Sequence, residues 1–178
     1  PDGRRDGANW TAGSAGTTRK SADATLANAV AATGVPGLVP IVPIEAISSW
    51  YRYVRENGIL VDRNYPSFLT SFVDTDPAAK CQAVRDQLDI AADDSTGNYN
   101  PFWAERDYLN GPVANISKLR ASVFAVHGMN DLNVQPDNFS TLWQQIAQRG
   151  IPRKVWLSQY GHIGACDLWG PTAPWVAT

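Results

Sequence analysis

The chain is predicted to adopt an α/β fold, on three observations. Short apolar runs of strand character alternate with helical stretches. Glycine or proline punctuates the junctions between them. Three polar residues, Ser21, Asp131 and His162, each stand just beyond a strand-like run.

The elements follow in order. Residues 1–8 are polar and glycine-rich and read as loop. Gly13 to Thr18 reads as a short strand of weak β-propensity. The Ala-rich stretch Leu26 to Thr33 favours helix, with Gly34 placed to close it and Pro36 beyond. Leu38 to Ile44 (LVPIVPI) reads as a strand whose two prolines mark ends or bulges. Ala46 to Asn57 is aromatic and predicted helical up to Gly58. From 59 to 110 strand periodicity is lost; a helix is expected over Pro77 to Ala92, and the segment reads as an inserted helical cap. Ala121 to His127 (ASVFAVH) returns to strand character. Asp137 to Arg149 then repeats Phe139, Leu142, Trp143 and Ile146 at helical steps, with Asp137 as N-cap and Gly150 as stop. Lys154 to Leu157 is a last short strand before the loop 158–164.

Length and composition bound the function. At 178 residues, the chain suits one domain or a piece of a larger one. With 44% hydrophobic and 18% charged residues, disordered, collagenous and coiled-coil classes are excluded. The net charge of −2 gives no basic face for nucleic acid or anionic membranes. The longest apolar stretch, residues 37–47, is interrupted by Pro40, Pro43 and Glu45 and is no membrane span. Two histidines supply few nitrogen donors for a catalytic metal. The acyl-transfer chemistry considered below needs neither a metal nor an organic cofactor. Cys81 and Cys166 lie 85 residues apart, which excludes a CxxC motif and leaves a disulfide or two thiols open. Residues 1–5 show no signal peptide, and the compartment cannot be read from the N-terminus.

Residues at the C-terminal ends of parallel strands face one crevice. Ser, then Asp, then His is the chain order of the α/β-hydrolase triad. That chemistry needs a hydroxyl on a tight turn, an imidazole to take its proton and a carboxylate to fix the tautomer. Each residue also has a plain alternative: Ser21 as a helix N-cap, Asp131 as a turn residue, His162 as a structural histidine. His127, at a strand end before Gly128, is read as packing against or orienting the Asp131 loop.

The stretches VPIVPIEAISSWYRYVRENG, GNYNPFWAERDYL, ASVFAVHGMNDLNV and GIPRKVWLSQYGHI resemble the Xaa-Pro dipeptidyl-peptidase family, related to cocaine esterase and acylases. The resemblance runs from about Asn9 to His162. It implies a partial α/β-hydrolase fold with an inserted helical cap, dividing the chain into core at 1–44, cap at 45–110 and core again at 111–178. Ser21 would be nucleophile, Asp131 orienting acid and His162 base, and the Ala22 N–H would serve the oxyanion. The implied substrate is a peptide with proline second, cleaved after the proline; an esterase or acylase of the same superfamily is the alternative. Trp50, Tyr51 and Trp103 are candidates to line a proline pocket, and Asn133 to hold the substrate's N-terminal part. Where the family uses a cap Glu for the substrate ammonium, only Asp74 or Asp76 stands nearby.

Departures from the pattern cluster at the nucleophile. The family's Gly-x-Ser-Tyr-x-Gly is here Arg19-Lys20-Ser21-Ala22-Asp23-Ala24. Without glycines, a strained or inactive turn is the expectation, and a non-catalytic remnant is the reading from another class. The family also has strands before the nucleophile, which carry a tyrosine oxyanion donor, and a C-terminal β-sandwich. The remainder of a parent polypeptide is therefore an expected partner, with a homo-oligomer also possible. The resemblance leans towards a secreted bacterial protein.

Overall fold

The structure is a computed structural model that describes residues 15–56, 58–74 and 81–162. The N-terminal loop, the start of the helix expected from Pro77, Asp76 and Cys166 lie outside the described residues. Cys81 is an exposed free thiol.

Strand β1 (Ala15–Lys20) leads through Ser21 into α1 (Ala22–Ala31), and the chain returns as β2 (Leu38–Ile44). A short helix α2 (Trp50–Val54) and a two-residue hairpin, β3 (Arg55–Glu56) and β4 (Ile59–Leu60), open the middle segment. Helices α3 (Tyr65–Val73), α4 (Gln82–Ala92) and α5 (Pro101–Ala104) follow. Strand β5 (Val123–Gly128), helix α6 (Pro136–Gln148) and strand β6 (Arg153–Ser158) complete the described chain. The main sheet is parallel in the order β1-β2-β5-β6, with Ile41 beside Thr17 on one side and Val123 on the other.

Parallel strands need buried faces, and one face has a full core. Ala31, Ile41, Val123, Ala125, Leu142 and Ile146 form it, drawing on α1 and α6. The opposite face has Ile44 and Val126 buried, with Val42 and Phe124 half-buried against them. A separate cluster of Ile47, Tyr53, Val54, Ala92, Trp103 and Val134 organises the middle segment. At its heart Arg55 is fully buried, paired with Asp94 at 2.6 Å, donating to Ala92 O and lying over the Trp103 ring. No helix among the described residues is long and apolar enough to cross a membrane.

Several boundaries differ from the sequence reading, each for a tertiary reason. β1 reaches Lys20 and α1 starts at Ala22, because the single residue Ser21 reverses the chain. Its φ of 55° and ψ of −122° do in one step what the sequence reading spread over seven residues. The helix expected from Ala46 begins only at Trp50. Ser48 is tied to Asn138, its N–H donating to Oδ1 and its hydroxyl to the carbonyl, while the extended Ser49 bridges to Asp107. The helix also stops at Val54, because Arg55 turns into the hairpin and is buried. Helix α3 was not foreseen, although Tyr65, Phe68, Leu69, Phe72 and Val73 recur at helical steps; none of its residues is fully buried. Asp137 is not the N-cap of α6: Gln135 is, and Pro136 takes the first helical position that suits its missing N–H.

Candidate active site

Four adjacent strands end at one edge of the sheet, and each delivers a polar residue there: Ser21 after β1, Glu45 after β2, Asp131 after β5 and His162 after β6. Three of them form a hydrogen-bonded chain. His162 Nδ1 lies 2.8 Å from Asp131 Oδ2, and its Nε2 lies 2.8 Å from Ser21 Oγ. A carboxylate only accepts. With Asp131 ionised, Nδ1 therefore carries the proton, and Nε2 is left as acceptor for the serine hydroxyl.

Each member is fixed by its backbone. The Ser21 N–H donates to Ile44 O at 2.9 Å, tying the turn to the end of β2. Thr25 donates to the Ser21 carbonyl through both its N–H and its hydroxyl. A positive φ costs a non-glycine residue on the order of 1–3 kcal/mol, and these bonds hold Ser21 there. The turn thus forms without the family's glycines. Ala24 is fully buried, so its methyl has room. Asp131 is buried, and its Oδ1 accepts the N–H groups of Asn133 and Val134 at 2.9 Å each. Those bonds fix the carboxylate and leave Oδ2 aimed at the histidine. Ala22 is the first residue of α1, so its N–H lacks an intrahelical acceptor.

His127 supports the Asp131 loop. Its Nε2 lies 2.8 Å from Val134 O, and since a carbonyl only accepts, that nitrogen carries hydrogen. Burial, more than any other cause, pushes its pKa below the ordinary 6.5. The native state therefore holds His127 neutral where the unfolded chain takes up a proton. Its contribution is present above about pH 6.5 and is lost as pH falls through the lower folded value. The melting temperature should fall as pH drops from 7 to 5, and His127→Gln should flatten that slope; an equal slope in both proteins would refute the assignment.

Gly128 sets the approach of the β6 loop. A Cβ there would collide with the carbonyl oxygen of Tyr160 and lie 2.8 Å from that of Gly161. Both are backbone atoms one and two residues before His162, so Gly128→Ala must displace the histidine. A misplacement near 1 Å can cost about 100-fold, and a loss of that order in kcat, with KM less affected, is the expected result from steady-state kinetics.

The other predicted residues separate. Trp50 is half-buried, its indole N–H donating to Tyr108 Oη and its ring set edge-on to Tyr53. Tyr51 is half-buried, with its hydroxyl on Gly97 O. Asn133 is exposed, and its Oδ1 accepts from the Tyr53 hydroxyl at 2.9 Å. Burial, with the Tyr65 hydroxyl alongside, pushes the Tyr53 phenol well above its ordinary value and keeps it a donor. The expectation for Trp103 is corrected. At 1% exposure, with its N–H on Ala92 O and its ring between Phe102, Tyr51 and Arg55, it is a packing residue. Asp74 is engaged by Arg85 at 2.6 Å.

The residue missed by the sequence reading is Glu45. It looked like an interruption in an apolar run, and only its place just after a strand end marked it. Its side chain is fully buried, with Oε2 3.8 Å from His162 Nδ1 and 4.0 Å from Lys20 Nζ. One atom each from Glu45, Asp131 and His162 lie within 4.8 Å of one another. A cation there would have to displace the proton that Nδ1 gives to Asp131.

The profile of the family described as X-Pro dipeptidyl-peptidase (S15 family) matches residues 5–164. The chain belongs to that family. An X-Pro dipeptidyl-peptidase relative from Streptomyces avermitilis, provisionally so named, is 47% identical over 172 residues, which is 96% of this chain and 24% of that protein. The Xaa-Pro dipeptidyl-peptidase of Lactiplantibacillus plantarum is 37% identical over 168 residues, 86% of this chain and 20% of its own. The chain thus spans about a quarter of the length of these X-Pro dipeptidyl-peptidase relatives. Among solved structures, the acylaminoacyl peptidase of Pyrococcus horikoshii in its orthorhombic form aligns with a TM-score of 0.52 at 14% identity, over 84% of this chain and 20% of that one. That likeness concerns the fold alone, which is part of an α/β-hydrolase fold.

Proposed function

We propose that this chain carries the catalytic residues of a serine peptidase that releases Xaa-Pro dipeptides from peptide N-termini. The observation that carries the reading is the Ser21–His162–Asp131 hydrogen-bonded chain in a member of this family. Ser21 Oγ attacks the carbonyl carbon of the proline itself while His162 Nε2 takes its proton. Asp131 holds Nδ1–H and stabilises the imidazolium. The Ala22 N–H, at the positive end of α1, faces the developing oxyanion. His162 then hands the proton to the leaving amine, and water releases the acyl-enzyme by the same route in reverse. No metal or organic cofactor enters these steps.

Residues 45–110 act as the cap over a core made of 1–44 and 111–178. Trp50 and Tyr51 offer aromatic surface to a proline ring, which presents CH₂ faces and no N–H. Asn133, its oxygen taken by Tyr53, offers its amide donors to the substrate's N-terminal part. The chain works within a longer polypeptide. The share of the relatives that it covers supports this, as does the half-exposed apolar surface at Val155, Trp156 and Leu157 on β6.

The test is fluorophosphonate labelling of the full polypeptide, located by peptide mapping, followed by an Ala-Pro chromogenic substrate. An adduct on Ser21 and turnover of Ala-Pro are expected. Labelling with turnover of aryl esters alone would make it an esterase or acylase, and an unlabelled Ser21 would leave a non-catalytic remnant.

A further inference from the structure

Glu45 is a fourth member of the strand-end constellation, and no step above uses it. β2 lies between β1 and β5, so the residue that ends it falls between the nucleophile strand and the acid strand. The Glu45 N–H donates to Val126 O at 2.8 Å, anchoring it to β5. Its φ of 53° is left-handed, a conformation few non-glycine residues adopt. The carboxylate is fully buried and reaches the same imidazole nitrogen that Asp131 holds.

We propose that Glu45 is a positioning residue for the catalytic histidine: a second, ionised carboxylate on His162 Nδ1 that shares with Asp131 the stabilisation of the imidazolium. At 3.8 Å its action is electrostatic, against the 2.8 Å hydrogen bond from Asp131. Little solvent screens a fully buried charge. Among the described residues, four groups lie near this pair. Lys20, from β1, stands 4.0 Å from Glu45 and is its cationic neighbour. Asp131, from the β5 loop, is a like charge, tied down by its two backbone N–H bonds. His127 lies 3.8 Å from Asp131 Oδ2 and is held neutral by burial. Ser21 completes the shell at Nε2.

The inference rests on the triad reading, and its test separates the two. The His162 imidazole is titrated by NMR in the full polypeptide and in its Glu45→Gln and Glu45→Asp variants. In parallel, the rate of fluorophosphonate labelling is followed against pH. Removing an anion makes the imidazolium harder to form, so the His162 midpoint in Glu45→Gln should fall by about one pH unit. The acid limb of the labelling profile should move down with it, and Glu45→Asp should restore both. Glutamine keeps the shape, so a purely structural role would lower the amount of folded protein without moving either midpoint. An unchanged midpoint in Glu45→Gln overturns the proposal. A wild-type protein whose Ser21 does not label overturns the triad reading itself, whatever His162 titrates to.

Discussion

Ser21→Ala is expected to abolish fluorophosphonate labelling and to lower turnover of an Ala-Pro substrate by about 10⁶-fold, the order seen when a triad serine is removed. The size follows from what is lost. Without Oγ no acyl-enzyme forms, and His162 Nε2 faces a methyl group. What remains is binding and the oxyanion donors, worth about 10³–10⁴ over water in such enzymes. Stability should change little, because Ser21 is held by its backbone: its N–H on Ile44 O and its carbonyl under Thr25. Alanine keeps both bonds, and its Cβ is already present in serine. An unaltered melting temperature with activity gone would separate chemistry from folding. Wild-type rates in Ser21→Ala would mean that another residue is the nucleophile.

The second large effect is Asp131→Asn, expected to lower kcat by about 10⁴-fold. The asparagine fits the same space, and its oxygen can keep the Asn133 and Val134 N–H bonds now made by Oδ1. Its nitrogen then points at His162 Nδ1. A donor there forces the imidazole into the other tautomer, with the proton on Nε2, where it meets the serine hydroxyl and cannot act as base. The loss should appear in kcat with KM nearly unchanged, because Asp131 is buried and meets no substrate. Glu45 cannot prevent this, since at 3.8 Å it makes no hydrogen bond to Nδ1 that could compete with the asparagine amide. A drop below tenfold would mean that Asp131 does not set the tautomer.

Much of the site was legible because its parts are local. Ser21, Asp131 and His162 each sit a few residues beyond an apolar run, and their order in the chain is a one-dimensional property. The strand of LVPIVPI and the helix near 137–149 were readable for the same reason: burial on one or both faces writes a short periodic pattern. The turn at Ser21 was only partly legible. Arg19, Ala22 and Ala24 argued for a strained turn, and Ser21 does hold a positive φ; that β2 and Thr25 support it, in place of neighbouring glycines, is a tertiary feature.

Trp50, Tyr51 and Trp103 looked alike as aromatic residues in polar company. Only packing told them apart, sending Trp103 into the core beside the buried Arg55 and leaving the other two half-buried. Glu45 shows the limit most clearly. In sequence it is 86 residues from Asp131 and 117 from His162, and nothing local marks it as their neighbour. By itself the sequence determined the α/β alternation, the family and the ordered trio of polar residues, since each is carried by pattern along the chain. The tertiary structure alone decided that a second carboxylate shares the histidine, because the order β1-β2-β5-β6 places the end of β2 between serine and aspartate, and sequence separation carries no information about sheet order.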